Sequence, residues 1–185
     1  MAANVTRISE GLVIASPGSG NLVIGPDQAV TIKGTRIDGG ITLDGGVLYV
    51  TGAARVHSRI NIKTTAGTIL VDGGSTFPEI VFRPPRSTPR PLVVGVQTAL
   101  VVKRVNVEDA QYLRISDNSR VGGRVRSSNV EVLKITDSVI HGSVRSRNDH
   151  FVTITNNRIE GALRISGAGN CDCAGNSVSG LVIIR

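Results

Sequence analysis

Apolar and polar residues alternate along most of this chain in short runs, the two-residue period of a half-buried β-strand. The stretch FVTITNNRIEGALRIS, from Phe151 to Ser166, shows how a run ends. Alternation pauses at Asn156-Asn157, resumes at Ile159 and meets Gly161. The interruption recurs at a fixed interval. Val121, Ile140, Ile159 and Val178 lie 19 residues apart, as do Gly123, Gly142, Gly161 and Gly180, and Val125, Val144, Leu163 and Val182. A polar series, Ser119, Ser138, Asn157 and Asn176, keeps the same step and is preceded by Asn118, Asp137, Asn156 and Gly175. Upstream of these turns Leu133, Val152 and Cys171 repeat, and so do Ile135, Ile154 and Cys173. The earliest of these coils carries one extra residue between Ile115 and Asn118, read as a bulge.

The first half repeats more loosely. Leu22, Ile41 and Ile60 are 19 apart, as are Ile24, Leu43 and Ile62, but Val56 to Phe77 and Ile60 to Val81 take 21 residues. The segment Val105 to Ile115 maps onto Val125 to Ile135 at a step of 20. Between them RPPRSTPRP, Arg83 to Pro91, cannot pair as a strand because proline lacks the backbone donor. It reads as a loop thrown out of one coil.

A repeat near 19 residues is too short for a helix pair or a propeller blade. It suits one coil of a parallel β-helix, with successive coils stacked at the inter-strand spacing of about 4.8 Å. The aliphatic columns then become continuous interior stacks. The glycine column fits a bend where a Cβ would collide or φ must be positive. Asn156 and Asn157 fall where the coil turns, since asparagine tolerates the left-handed conformation. Stacked on their counterparts, they are also placed to form a polar ladder between coils. The expected fold is therefore an all-β, right-handed parallel β-helix solenoid with about 19–21 residues per coil. Residues 1–19 are assigned to an N-terminal segment or cap and 20–185 to a single β-helix domain with an extended loop at 83–91.

The motif NNRIEGALRIS resembles the coil of right-handed parallel β-helices of the pectate-lyase-like and phage-tailspike-like families, closely over about residues 92–185 and loosely over 20–91. A weaker resemblance is to bactofilins, which polymerise through the ends of their β-helices. The resemblance implies architecture. For function it implies polysaccharide cleavage or binding, a virion part, or a self-assembling scaffold.

Composition agrees with a strand-built chain. Val, Ile and Leu dominate, Gly is abundant at 22 residues, Trp is absent, and Tyr and Phe number two and three. No segment has the helix period over ten or more residues. After MAANVTRISEG the apolar run is only LVIA, too short for a signal-peptide core, and no segment approaches a membrane span. The Asn4 sequon, without a secretion signal, is a chance match. The net charge of +7 is regional: residues 1–80 hold six basic and six acidic side chains, residues 81–185 hold 15 and 8.

Candidate chemistry is sparse. Glycoside cleavage needs two carboxyl groups about 5–10 Å apart. Glu108, Asp109, Asp117, Glu131, Asp137, Asp149 and Glu160 occupy different points of the coil. The DGG triplets at Asp38, Asp44 and Asp72 read as turns. Cys171 and Cys173 share a strand face with interior Val152 and Ile154, so two buried thiols are expected. His57, His141 and His150 are scattered, and no zinc site or other cofactor is expected.

Two features remain as candidate contacts. Arg126, Arg145 and Arg164 are 19 apart and alternate with interior residues, so they form an outward column. Arg120, Arg124, Lys134 and Arg158 add charge to the same half. Stacked guanidiniums repel, which suits an anionic partner: a carboxylate surface, an acidic polysaccharide or, less favoured for want of aromatic stacking platforms, nucleic acid. The alternative is a solubilising face that discourages lateral strand pairing. At the other feature, the last coil breaks pattern, with Leu181 and Ile183 where earlier coils are small or basic. With no capping helix expected after Arg185, these two residues are assigned to contact with another subunit, a cyclic trimer being favoured, or with a partner protein. The alternative is that the N-terminal segment or the Pro/Arg loop folds over this end. The functional expectation is a non-catalytic structural or adhesive rod, a bacteriophage capsid-decoration or tail-associated protein located in the virion. A bactofilin-like scaffold in the bacterial cytoplasm and a polysaccharide-active protein are the alternatives.

Overall fold

A computed structural model describes residues 11–57, 60–62, 67–82 and 92–185. Among these every regular element is a strand, and the strands pair in parallel between successive coils. A typical coil contributes three strands, such as Val132–Thr136, Val139–Ile140 and Val144–Arg147. Stacking gives three faces. The first is a nine-stranded sheet running from Leu12–Ile14 to Asn170–Asp172. The second is an eight-stranded sheet from Arg36–Ile37 to Ser177–Val178. The third has six strands from Ile80–Phe82 to Val182–Ile184, and a separately bonded three-stranded piece, Leu22–Ile24, Ile41–Leu43 and Ile60–Ile62. The parallel β-solenoid expected from the repeat is thus the fold. Leu12–Ile14 already pairs with Ala29–Lys33, so the coil stack begins upstream of residue 20. The loop at 83–91 and residues 1–10 lie outside the described residues.

The interior follows from register. Val121, Ile140, Ile159 and Val178 pair in sequence, and the first three have no exposed surface. Leu133 and Val152, Ile135 and Ile154, and Val125, Val144 and Leu163 form further buried stacks. Burying each such side chain stabilises the fold by about 1.5–3 kcal/mol relative to exposure. One predicted pairing is off by one residue. Ile80 continues the interior position of Ile60, being 1% exposed and paired with Val105, whereas Val81 points outward and pairs with Asn106. The cause is a shortened corner: Pro78 and Glu79 alone separate Phe77 from Ile80, where other coils use three residues.

The turns explain the paired asparagines. Asp137, Asn156 and Gly175 adopt left-handed backbone, with φ of 50°, 58° and 68°. In the coil with the extra residue both Asp117 and Asn118 do so, at 56° and 61°. The second residue of each pair turns inward. Asn157 is 2% exposed; its Oδ1 accepts from Ser138 N at 3.0 Å and its Nδ2 donates to Ile135 O at 2.8 Å. Asn176 Oδ1 accepts from Asn157 N and Nδ2, both at 3.0 Å. An unmet buried amide costs about 1–3 kcal/mol, so the ladder removes a penalty at each turn it closes. The glycine column answers to space instead. A Cβ on Gly142 would lie 2.6 Å from Gly123 C, and one on Gly180 2.8 Å from Gly161 O.

Ile159→Asp places a charge without a counter-ion between Ile140 and Val178. A loss of about 4 kcal/mol or more is expected, with unfolding concentrated in the C-terminal coils because each coil is held by its neighbours. Hydrogen exchange resolved along the chain checks it; unchanged protection beyond residue 140 would refute the register.

Candidate functional site

Alternation on the third face puts Arg126, Arg145 and Arg164 outward, in direct register with one another and with Asn106 before and Ile183 after. Arg145 and Arg164 are exposed and Arg126 is half-buried. Arg124 precedes Arg126 by two residues on this face, and Arg147 follows Arg145 by two. The arginines therefore form a band rather than a single file. Among the described residues, none of these five makes an ion pair. The remaining outward positions between them are Ser128, Ser143, Ala162 and Ser166, so no bulky side chain stands between the guanidiniums. Unit charges one strand apart repel by roughly 1 kcal/mol in water before screening by salt. Of Arg120, Arg124, Lys134 and Arg158, which add charge to this half, only Arg124 shares the face of the column. Arg120 and Arg158 lie on the second face and Lys134 on the first. Arg104 sits on the third face but is neutralised by Glu79 at 3.0 Å. Arg147 was legible from simple alternation past Arg145.

At the C-terminal end Leu181 is 59% exposed, while Ile183 is partly covered beside Arg164. The larger apolar surface comes from two residues that the pattern breaks do not single out. Val182 and Ile184, each 50% exposed, continue the buried positions of Leu163 and Ile165. The same end overturns the expectation of two buried thiols. Cys171 is exposed, Cys173 partly so, and the two are joined in a disulfide with Cα atoms 6.1 Å apart. Residues two apart on a strand face the same side, which brings the sulfurs together.

The first face carries an open depression of about 550 Å³ with Tyr49, Leu70, Gly95, Tyr112 and Arg114 around it. Tyr49 donates a hydrogen bond to the Asp72 carboxylate, and that bond holds the phenol above its ordinary pKa. Phe151, 43% exposed, continues the column Tyr112, Val132. Both tyrosines and the exposed phenylalanine thus share one face, while Phe77 and Phe82 are in the core. Low aromatic content concealed this clustering; the steps of 20 and 19 from Tyr112 to Phe151 carry it.

The carboxylates disperse. Glu160 binds His141 at 2.9 Å and Arg158 at 3.2 Å, and these contacts, led by the histidine hydrogen bond, lower its pKa. Asp117 meets Arg114 and Ser116, and Asp109 accepts from Asn129. Among the described residues no three His, Cys, Asp or Glu side chains are placed to hold a metal ion, and no helix is long and apolar enough to cross a membrane. Two carboxylates are buried among the described residues, Glu79 beside Arg104 and Asp149 without a cation. Fully buried, Asp149 occupies the turn position held by Ala110 and Val130 in the preceding coils. Its Oδ1 accepts from Val130 N at 2.8 Å, and its Oδ2 accepts from the Ser127 and Ser146 hydroxyls at 2.5 and 2.6 Å. Burial raises its pKa, and these three donors only partly offset the rise.

The structure defines the class: an all-β parallel solenoid of about eight coils. No family model, no curated protein and no solved structure matches the chain.

Because the folded pKa of Asp149 is raised, the native state binds its proton more tightly than the unfolded chain does. That contribution is complete below the unfolded value of about 3.9 and is lost as pH rises through the folded pKa. Within this window Tm should fall with rising pH in the wild type, and Asp149→Asn should flatten that component and equal or exceed the wild type at neutral pH. A Tm difference between the two that does not change with pH would refute this.

Proposed function

We propose that this protein is a non-catalytic structural or adhesive rod that docks on an anionic partner surface, a role suited to a capsid-decoration or tail-associated component of a bacteriophage virion. The observation that carries the reading is the band of five arginines, three of them stacked in register and none in an ion pair among the described residues. Holding like charges together costs free energy within the free protein, and an anionic partner converts that cost into binding. The virion setting rests on the solenoid fold and on the resemblance of its coil to tailspike-like β-helices.

The test compares two variants of equal net charge. Arg126→Glu/Arg145→Glu/Arg164→Glu should release from a polyglutamate-coated surface at much lower salt than the wild type. Lys33→Glu/Arg55→Glu/Arg120→Glu, altered on other faces, should shift far less. Equal shifts would reduce the band to a general basic charge.

The apolar end supports assembly through Leu181, Val182, Ile183 and Ile184, with a trimer favoured. Sedimentation of the wild type at micromolar concentration should show an oligomer that Leu181→Glu/Ile184→Arg dissociates; a monomeric wild type removes this part of the reading. Filaments in electron micrographs of the pure protein would favour the bactofilin-like alternative, and depolymerisation of a glycan the polysaccharide-active one.

A further inference from the structure

We propose that the arginine band takes the phosphate backbone of a nucleic-acid duplex without reading its sequence, which rests on the anionic-docking reading and names its partner. The absence of aromatic side chains among the outward positions of this band removes the stacking platforms that single strands need. It does not count against a duplex, whose phosphates are bound by charge and hydrogen bonds alone.

Three features of the band fit such a ligand. Every cation in it is arginine, whose planar fork donates two parallel hydrogen bonds to a phosphate. The charges spread in two dimensions: along the rod axis Arg126, Arg145 and Arg164 recur at one inter-strand step of about 4.8 Å. Along the strands Arg124 and Arg126, and likewise Arg145 and Arg147, are two residues apart, or about 6.7 Å. Charges in two rows can meet phosphates over a broad duplex surface rather than along one thread. A thin single-file polyanion would use one column and leave Arg124 and Arg147 idle. Finally, the floor between the guanidiniums consists of Ser128, Ser143, Ala162 and Ser166, which admits a broad surface. Ser128 and Ser166 hydroxyls supply further phosphate donors; the Ser143 oxygen already accepts from Ala162 N at 3.0 Å.

The experiment is fluorescence anisotropy of the full chain with short labelled duplexes of two unrelated sequences, titrated across salt. With about four phosphates engaged, log affinity should fall against log salt with a slope near −4. Arg145→Ala should weaken both duplexes about tenfold at low salt and reduce the slope by about one, while Arg120→Ala changes neither. Tighter binding to a single strand of the same length, stronger competition by polygalacturonate or dextran sulfate than by unlabelled duplex at equal charge, or equal losses in Arg145→Ala and Arg120→Ala would each overturn the proposal. Should the duplex fail while the polyglutamate surface still separates the two triple variants, anionic docking stands and the duplex assignment falls. Failure of both removes the band as a docking face.

Discussion

Among the described residues each strand position is stacked on its counterpart one coil away, at the spacing of a parallel strand pair. That register is the constraint from which the rest follows. Whatever a residue is, it meets a neighbour in the same role, so an interaction favourable between like groups is repeated along the rod and an unfavourable one is repeated as well. Branched aliphatic side chains stack well, and Val121, Ile140 and Ile159 do so without exposed surface. Asparagine is suited for another reason: it carries both a donor and an acceptor, so Asn157 and Asn176 satisfy each other and the backbone of the coils beside them.

Two groups do not benefit from repetition. Arginine gains nothing from arginine, yet its column persists on the third face with none of its members in an ion pair among the described residues. Carboxylate gains nothing from carboxylate either, and Asp149 lies buried in a turn position that is Ala110, Val130 and Ala168 in neighbouring coils. Its position is made tolerable by two serines and one amide instead of a cation. Both exceptions are departures from the logic of like-on-like stacking, one outside and one inside.

Where the repeat is strict, the sequence carried the register residue by residue: the glycine, valine and asparagine columns all pair as their spacing implies. Legibility failed where corner length changed. The short corner at Pro78-Glu79 moves the interior position from Val81 to Ile80, because alternation is reset at each turn and a spacing count cannot see which turn has lost a residue. It failed again where a position is defined by what surrounds it. Cys171 and Cys173 have interior spacing, yet Cys171 is exposed, Cys173 partly so, and the two are bonded to each other. Asp149 could have been found from its column, in which it alone is charged. The arginine band was only partly legible, since basic residues near one another in sequence fall on three different faces.

Stacking identical units also makes the rod's dimension discrete. Because Ser138 N and Asn157 N each close onto the asparagine of the following coil, the coils they join present equivalent surfaces above and below. Duplicating such a coil in the gene would extend the interior columns without a new joint, lengthening the particle by one strand spacing of about 4.8 Å. Each such insertion would also add one arginine to the outer column. Length and surface charge are therefore not independent traits here: a lineage that measures out a longer rod by repeating this coil acquires a proportionally longer arginine column.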